Sequence, residues 1–151
     1  MTNSPKIETS RLILRRFELK DVDDFLEIMR DKEVNKFLPL FPIDTIETAK
    51  EYLTNHYLRR YEKPIGFKYA ICQKSDNRPI GYINIADNDS YDLGFGLRKK
   101  FWSKGIITEA CQALIEKIKL TEIPYLTATH DINNPASGRV MQKIGMKYCY
   151  S

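Results

Sequence analysis

The chain has 151 residues, 42% hydrophobic and 29% charged. That is the size and balance of one globular domain over residues 1–151, and it excludes a low-complexity or disordered chain. Twenty-four Lys and Arg against twenty Asp and Glu leave a net charge of +4, which suits an anionic ligand but is far from the dense basic face of a dedicated nucleic-acid binder.

No apolar run approaches the ~18 residues that cross a bilayer. The opening Met1-Thr2-Asn3-Ser4-Pro5-Lys6 has no apolar core of a signal peptide. Three widely spaced cysteines, Cys72, Cys111 and Cys149, form neither a disulfide framework nor a zinc pattern. A reducing, cytoplasmic setting is expected, with each cysteine acting as a small buried hydrophobe.

Arg11 to Phe17 reads as a first strand, with Leu12, Leu14 and Arg16 on one face and Ile13, Arg15 and Phe17 on the other. Asp21 is placed as an N-cap. Behind it Val22, Phe25, Leu26 and Met29 form one apolar face of a helix. Phe37 to Pro42 is an apolar, proline-broken loop. Asp44 with Glu47 predicts a capping box opening a helix from about Thr45 to about Tyr61, burying Ala49, Tyr52, Leu53 and Tyr57. Three strands of a meander follow: Phe67 to Gln73, Ile80 to Ala86 and Tyr91 to Leu97, separated by polar turns.

The pattern then changes. Arg98 to Ile107 is a basic loop with one glycine, Gly105. Thr108 to Leu120 is a helix whose stripe is Ala110, Cys111, Leu114, Ile115 and Ile118. Tyr125 to His130 is a short strand, so that strand, helix and strand make a parallel pair with a right-handed crossover. Asn133-Asn134-Pro135 is a loop, Ala136 to Ile144 a helix ended by Gly145, and Met146 to Tyr150 a last strand.

The chemically informative element is Leu93-Gly94-Phe95-Gly96-Leu97, the basic loop, and the helix after it. A strand feeding a basic loop and a helix N-terminus presents unpaired N–H groups and a positive dipole to a phosphate. Arg98, Lys99, Lys100 and Lys104 add charge, and Gly105 lets the backbone approach a ligand. Neither the phosphate-binding G-x-x-x-x-G-K-[ST] nor the dinucleotide G-x-G-x-x-G is present. On this element alone, an anion site and a plain basic surface turn both stay open.

Three segments in register resemble the GNAT N-acetyltransferase superfamily, and within it the ribosomal-protein N-terminal acetyltransferase-like (RimJ/RimL-like) branch. They are Ile7-Glu8-Thr9-Ser10-Arg11-Leu12-Ile13-Leu14-Arg15; Asp92 to Arg98 with Phe101-Trp102-Ser103-Lys104-Gly105-Ile106-Ile107-Thr108-Glu109; and Asn134-Pro135-Ala136-Ser137 with Val140 and Lys143-Ile144-Gly145-Met146. The resemblance implies a mixed, mostly antiparallel twisted α/β sheet with helices on both faces and one parallel β-α-β unit at the cofactor site. It implies acetyl-CoA as donor, a primary amine of a protein N-terminus or a small molecule as acceptor, direct attack in a ternary complex, and no metal.

By the same carry-over, Phe95, Gly96 and Leu97 pair with the pantetheine arm, and an N–H there, that of Phe95, holds the oxyanion. Trp102, Ser103, Lys104, Gly105, Ile106, Ile107 and Thr108 wrap the pyrophosphate. Asn134 binds the pantetheine arm, Asp92 stands as general base, and Ser137 lies by the cofactor as donor to the leaving thiolate. His56 is expected to be structural or exposed, and His130 ends the strand before Asn134. The loop from Phe37 to Pro42 lines the acceptor pocket or packs the core.

Departures from the family pattern motivate an alternative. Ile107 stands where Gly or Ala is preferred, Met141 where many members keep an acidic Tyr, Ser103 replaces a common Gly, and Met146 replaces Phe. After Gly145 six residues remain where two strands are expected, which predicts a homodimer or a rearranged C-terminal edge. The alternative function is a CoA-binding or regulatory module with weak or absent turnover. Membrane and nucleic-acid partners are not expected.

Overall fold

A computed structural model describes residues 3–30, 43–63, 66–86 and 93–120. Five strands form one sheet in the order β1-β2-β3-β4-β5, every neighbouring pair antiparallel. They are β1 (Ile7–Glu8), β2 (Leu12–Arg15), β3 (Phe67–Gln73), β4 (Pro79–Ile85) and β5 (Leu93–Leu97). The helices are α1 (Val22–Met29), α2 (Ile46–Leu53) and α3 (Ile106–Ile118).

Alternation along the strands builds two cores. Phe67, Tyr69 and Ile71 of β3 face one side with Leu12 and Leu14, where α3 lays Ile106, Ala110, Cys111, Leu114 and Ile118 against them. Ala70 and Cys72 face the other side, where α1 and α2 cover them with Phe25, Ile28, Met29, Ala49 and Leu53. A strand side chain switches face at every residue, so β3 can be apolar nearly throughout only because helices cover both sides. The antiparallel part of the sheet and the helices on both its faces are therefore as the sequence led one to expect. The parallel unit through Tyr125 to His130, and the elements after it, lie outside the described residues.

One irregularity sets the register. Ile71 pairs with Gly81, but Cys72 pairs with Pro79, so Ile80 has no partner on β3. This bulge reverses the alternation, and Ile80 joins Ile83 and Ile85 in the same core.

Several local expectations are corrected. The capping box of α2 is made by Thr45 and Thr48 rather than Asp44 and Glu47. The Thr45 hydroxyl accepts from Thr48 N–H at 3.1 Å, and the Thr48 hydroxyl accepts from Thr45 N–H at 3.2 Å. Helicity does continue beyond α2, but as a π turn over Thr54–Leu58 and a 3-10 turn over Arg60–Glu62. In an α-helix each four-residue step drifts by about 40°. The wider turn reverses that drift and returns Tyr57 to the buried face of Ala49 and Leu53.

β2 ends at Arg15, so Arg16 does not share the buried face of Leu12 and Leu14. It is exposed, donates to the Asn3 carbonyl at 2.6 and 3.0 Å and lies over the Tyr61 ring. Helix α3 begins two residues before the expected Thr108, and β4 one residue before Ile80. The two-residue strand β1 was not foreseen, since so short a run carries no periodic signal.

Asp21 sits at the N-cap position of α1 but does not cap it. Its carboxylate is 5% exposed and is held bidentately by Arg15, at 2.9 and 3.1 Å, and by Glu18 N–H at 2.8 Å. The hydrogen bond to Asp21 raises the Arg15 pKa above its usual value, against desolvation. Arg15 also donates to the Asn77 side chain and carbonyl, each at 3.0 Å. One guanidinium thus ties β2, the start of α1 and the β3–β4 turn. Arg15→Ala leaves a buried carboxylate unpaired and is expected to destabilise the protein by about 3 kcal/mol, read from urea unfolding. Loss below about 1 kcal/mol would show that water replaces the guanidinium.

Candidate functional site

The hydrogen-bonding phase of β5 follows from one bond beyond its end. Arg98 N–H donates to the Ile80 carbonyl at 2.9 Å, continuing the register of Gly81 with Leu97 and Tyr82 with Gly96. Antiparallel pairs alternate between bonded and non-bonded. Gly96 and Gly94 are therefore bonded to β4, while Leu93, Phe95 and Leu97 turn their N–H and C=O away from it. Trp102 bears this out, since its indole N–H donates to the Leu97 carbonyl at 2.7 Å. The outward main chain of Phe95 and the N–H of Leu97 thus lie on the side of β5 away from β4, which no described strand pairs.

The glycines of this ladder have separate reasons. A Cβ on Gly81 would lie 2.3 Å from the Gly96 carbonyl oxygen, a backbone atom that cannot give way. A Cβ on Gly96 would meet the buried Tyr82 ring at 2.6 Å. At Gly94 a Cβ would meet nothing within 4 Å, so that position is open among the described residues.

The basic loop has a defined path. Lys99–Phe101 form a 3-10 turn. Ser103 takes φ 63° and Gly105 φ 74°, left-handed conformations in which only glycine is unstrained. Ser103 therefore stands where its backbone explains a preference for glycine. Gly105 is the N-cap of α3 and offers no side chain to its first turn. The N–H groups of Ile106, Ile107 and Thr108 precede the first intrahelical bond, from Glu109 N–H to the Gly105 carbonyl at 3.0 Å. Ser103, Lys104 and Gly105 are exposed, and Trp102 is 43% exposed. Ile107 is partly buried and packs against the core under α3.

A clamp that the sequence did not reveal holds this loop. Arg11 donates from Nε to Glu109 Oε1 at 2.7 Å, and from Nη1 to the Lys104 carbonyl at 2.9 Å. Its own backbone N–H donates to Glu109 Oε2 at 3.2 Å, and the Thr9 hydroxyl donates to the same oxygen. The Thr9 hydroxyl in turn accepts from Leu12 N–H at 2.9 Å. Partial burial alone would raise the Glu109 pKa, but the bonds from Thr9 and Arg11 outweigh it and hold the carboxyl below its usual range. These partners lie about a hundred residues apart, and nothing periodic links them.

The other candidates divide simply. His56 is exposed and stacks on Tyr52 at 4.1 Å, its pKa lowered by desolvation and by the charges of Lys68 and Arg60. Cys72 and Cys111 are buried free thiols, each pushed up to about 12 by burial, inert as nucleophiles. Asp92, Asn134, Ser137, His130, Met141, Cys149 and the Phe37 to Pro42 loop lie outside the described residues. No described helix is long and apolar enough to cross a membrane.

The sequence matches, over residues 11–147, a family described as the acetyltransferase (GNAT) domain. The uncharacterized N-acetyltransferase YnaD of Bacillus subtilis (strain 168) is 30% identical over 145 residues, covering 93% of this chain and 82% of that protein. The crystal structure of a GNAT-family acetyltransferase from Bacillus anthracis aligns with a TM-score of 0.78 at 27% identity, over 95% of this chain and 84% of that one. RimL, the ribosomal L7/L12 alpha-N-protein acetyltransferase in complex with coenzyme A, shares the fold with a TM-score of 0.79 at 17% identity, over 93% of this chain and 83% of that one.

Two stability tests follow from this geometry. Gly81→Ala is expected to disrupt the β4–β5 ladder and lower the urea midpoint sharply, whereas Gly94→Ala should be neutral or stabilising by up to about 1 kcal/mol. Equal effects would contradict the assigned close approach. Because the folded Glu109 pKa is depressed, its contribution is present above the unfolded carboxylate range near about pH 4 and is lost as pH falls through the lower folded value. Glu109→Gln should therefore flatten the acid limb of stability against pH; an unchanged limb would remove Glu109 from the clamp.

Proposed function

The chain belongs to the GNAT acetyltransferase family, and from that premise we propose that it transfers the acetyl group of acetyl-CoA to a primary amine by direct attack in a ternary complex. The observation that carries the reading is the outward main chain of Phe95 on the edge of β5, next to a strand–loop–helix junction whose first-turn amides have no side-chain cap. An extended pantetheine arm adds to such an edge as a further strand would. The Phe95 N–H then polarises the thioester carbonyl and holds the developing oxyanion. Leu97 contributes its N–H to the arm, since its carbonyl is occupied by Trp102. Gly96 contributes by lacking a side chain over Tyr82.

The pyrophosphate is placed on the loop from Trp102 to Thr108, against the amides of Ile106, Ile107 and Thr108, with Ser103, Gly105 and the Lys104 ammonium beside it. Arg11 and Glu109 position that loop without touching the donor. Asn134 is assigned to the pantetheine arm. The amine lone pair attacks the thioester carbon, and the carbon–sulfur bond breaks as the tetrahedral intermediate collapses. Asp92 takes the amine proton, directly or through water, and Ser137 supplies one to the departing thiolate. The acceptor is a protein N-terminal amine or a small-molecule amine, and the setting is the cytoplasm.

Calorimetry with acetyl-CoA tests the donor half, with micromolar binding expected, about −8 kcal/mol. Phe95→Pro removes the one N–H assigned to the oxyanion at a position that does not bond β4. It should keep the fold, as edge prolines do, and lower kcat by about a hundredfold or more. Unchanged kcat in a folded Phe95→Pro protein would exclude this N–H from catalysis.

A further inference from the structure

On the face of the sheet opposite α3, Asn84 of β4 stands between Lys68 of β3 and Gly94 of β5 in direct register. Its amide donates from Nδ2 to the Tyr57 hydroxyl at 2.8 Å. Its Oδ1 is buried and has no hydrogen-bond partner among the described residues. Orphaned polar atoms of this kind are rare, because each gives up its solvation without a replacing bond. With Nδ2 on the Tyr57 hydroxyl, Oδ1 is the end of the amide left without a partner among the described residues.

Tyr57 fixes the amide. Its ring is 3% exposed, wedged edge-on against Phe17 at 4.9 Å and Phe25 at 5.6 Å, with the Lys68 ammonium 5.2 Å from its centroid. Burial raises its pKa well above the ordinary value, so the hydroxyl stays neutral. The π turn over Thr54–Leu58 delivers it here, and such turns cluster at functional sites. Across from Asn84, a Cβ on Gly94 would meet nothing within 4 Å among the described residues. That position adjoins Phe95, whose N–H was assigned to the thioester carbonyl. Among the described residues, a buried acceptor atom without a donor and an open position thus lie one register step from Phe95.

We propose that Asn84, oriented by Tyr57, is a specificity-determining residue for the acceptor, its Oδ1 accepting a hydrogen bond from an N–H of the amine seated over Gly94. The inference rests on the acetyltransferase reading above. It names the feature that the acceptor must carry, an N–H donor beside the sheet, and explains an otherwise uncompensated buried oxygen. An amine already carrying two alkyl groups has lost the donor left over after attack, so primary amines are preferred over secondary ones.

The test uses the full chain with acetyl-CoA and a panel of primary and secondary alkylamines and short peptides with free N-termini. Asn84→Leu, close in volume but without the amide, should lower kcat/KM for the amine by about tenfold or more and leave the acetyl-CoA dissociation constant unchanged. It should also erode the preference for primary over secondary amines. A Cβ on Gly94 meets nothing within 4 Å among the described residues, so Gly94→Leu should fold normally and raise the amine KM with acetyl-CoA binding intact; it serves if Asn84→Leu fails to fold. Wild-type turnover that neither substitution alters by more than about twofold would overturn the inference alone. Loss of acetyl-CoA binding in Asn84→Leu would also overturn it, assigning Asn84 to the donor side. A wild-type chain that acetylates none of the panel would overturn the reading on which the inference rests, and the inference with it.

Discussion

The phase of the β4–β5 ladder is the constraint on which the site depends. Ile80 is bulged out of the pairing with β3, and its carbonyl takes the Arg98 N–H. From that bond the alternation of antiparallel pairs leaves Phe95 facing away from the sheet while Gly94 and Gly96 face into it. A shift of one residue would exchange these roles. The glycine main chain would then turn away from β4, and Phe95 would stand on the face that Gly94 leaves open among the described residues. Main-chain phase and side-chain parity are the same period-two fact seen from two directions, so a single register places both the proposed donor edge and the proposed acceptor floor.

Close packing protects that register. Gly81 allows β4 and β5 to approach until the Gly96 carbonyl lies where a Cβ would otherwise be, and Gly96 leaves room for the Tyr82 ring. The two cores load the sheet from both sides, α3 on one face and α1 with α2 on the other. Charged contacts then fix the periphery. Arg15 joins β2, α1 and the β3–β4 turn through a buried carboxylate, and Arg11 joins the β1–β2 hairpin to the loop before α3. Both arginines use the guanidinium fork to satisfy several acceptors at once, which a lysine could not do with one point charge.

Local pattern was legible where one physical signal dominated. β3 was read with its observed ends because Phe67, Tyr69 and Ile71 alternate along it and a polar turn follows. The helix after Gly105 was legible from its apolar stripe, though its start fell two residues early because a left-handed glycine, not a polar side chain, opens it. The capping box was displaced by one residue because acidic and hydroxyl caps compete within Asp44-Thr45, and only backbone geometry selects Thr45. Asp21 was placed correctly but misread in role, since a buried arginine claims its carboxylate. Among the proposed site residues, the strand and loop were recognisable as a motif; Asn84 and Tyr57 were not, because neither belongs to a repeating pattern.

By itself, the sequence determined the order of the described strands and helices apart from β1, the glycine-rich strand leading to a basic loop, and the resemblance to the family. These follow from periodicity, turn chemistry and short motifs, all of which act between residues close along the chain. Only the tertiary structure decided which backbone groups of β5 face outward, that Arg11 and Glu109 clamp the loop, and that Tyr57 meets Asn84. Each of these joins distant segments through register or a helical phase shift. A bulge of one residue or a single widened turn reverses such outcomes, and neither leaves a mark in composition or spacing.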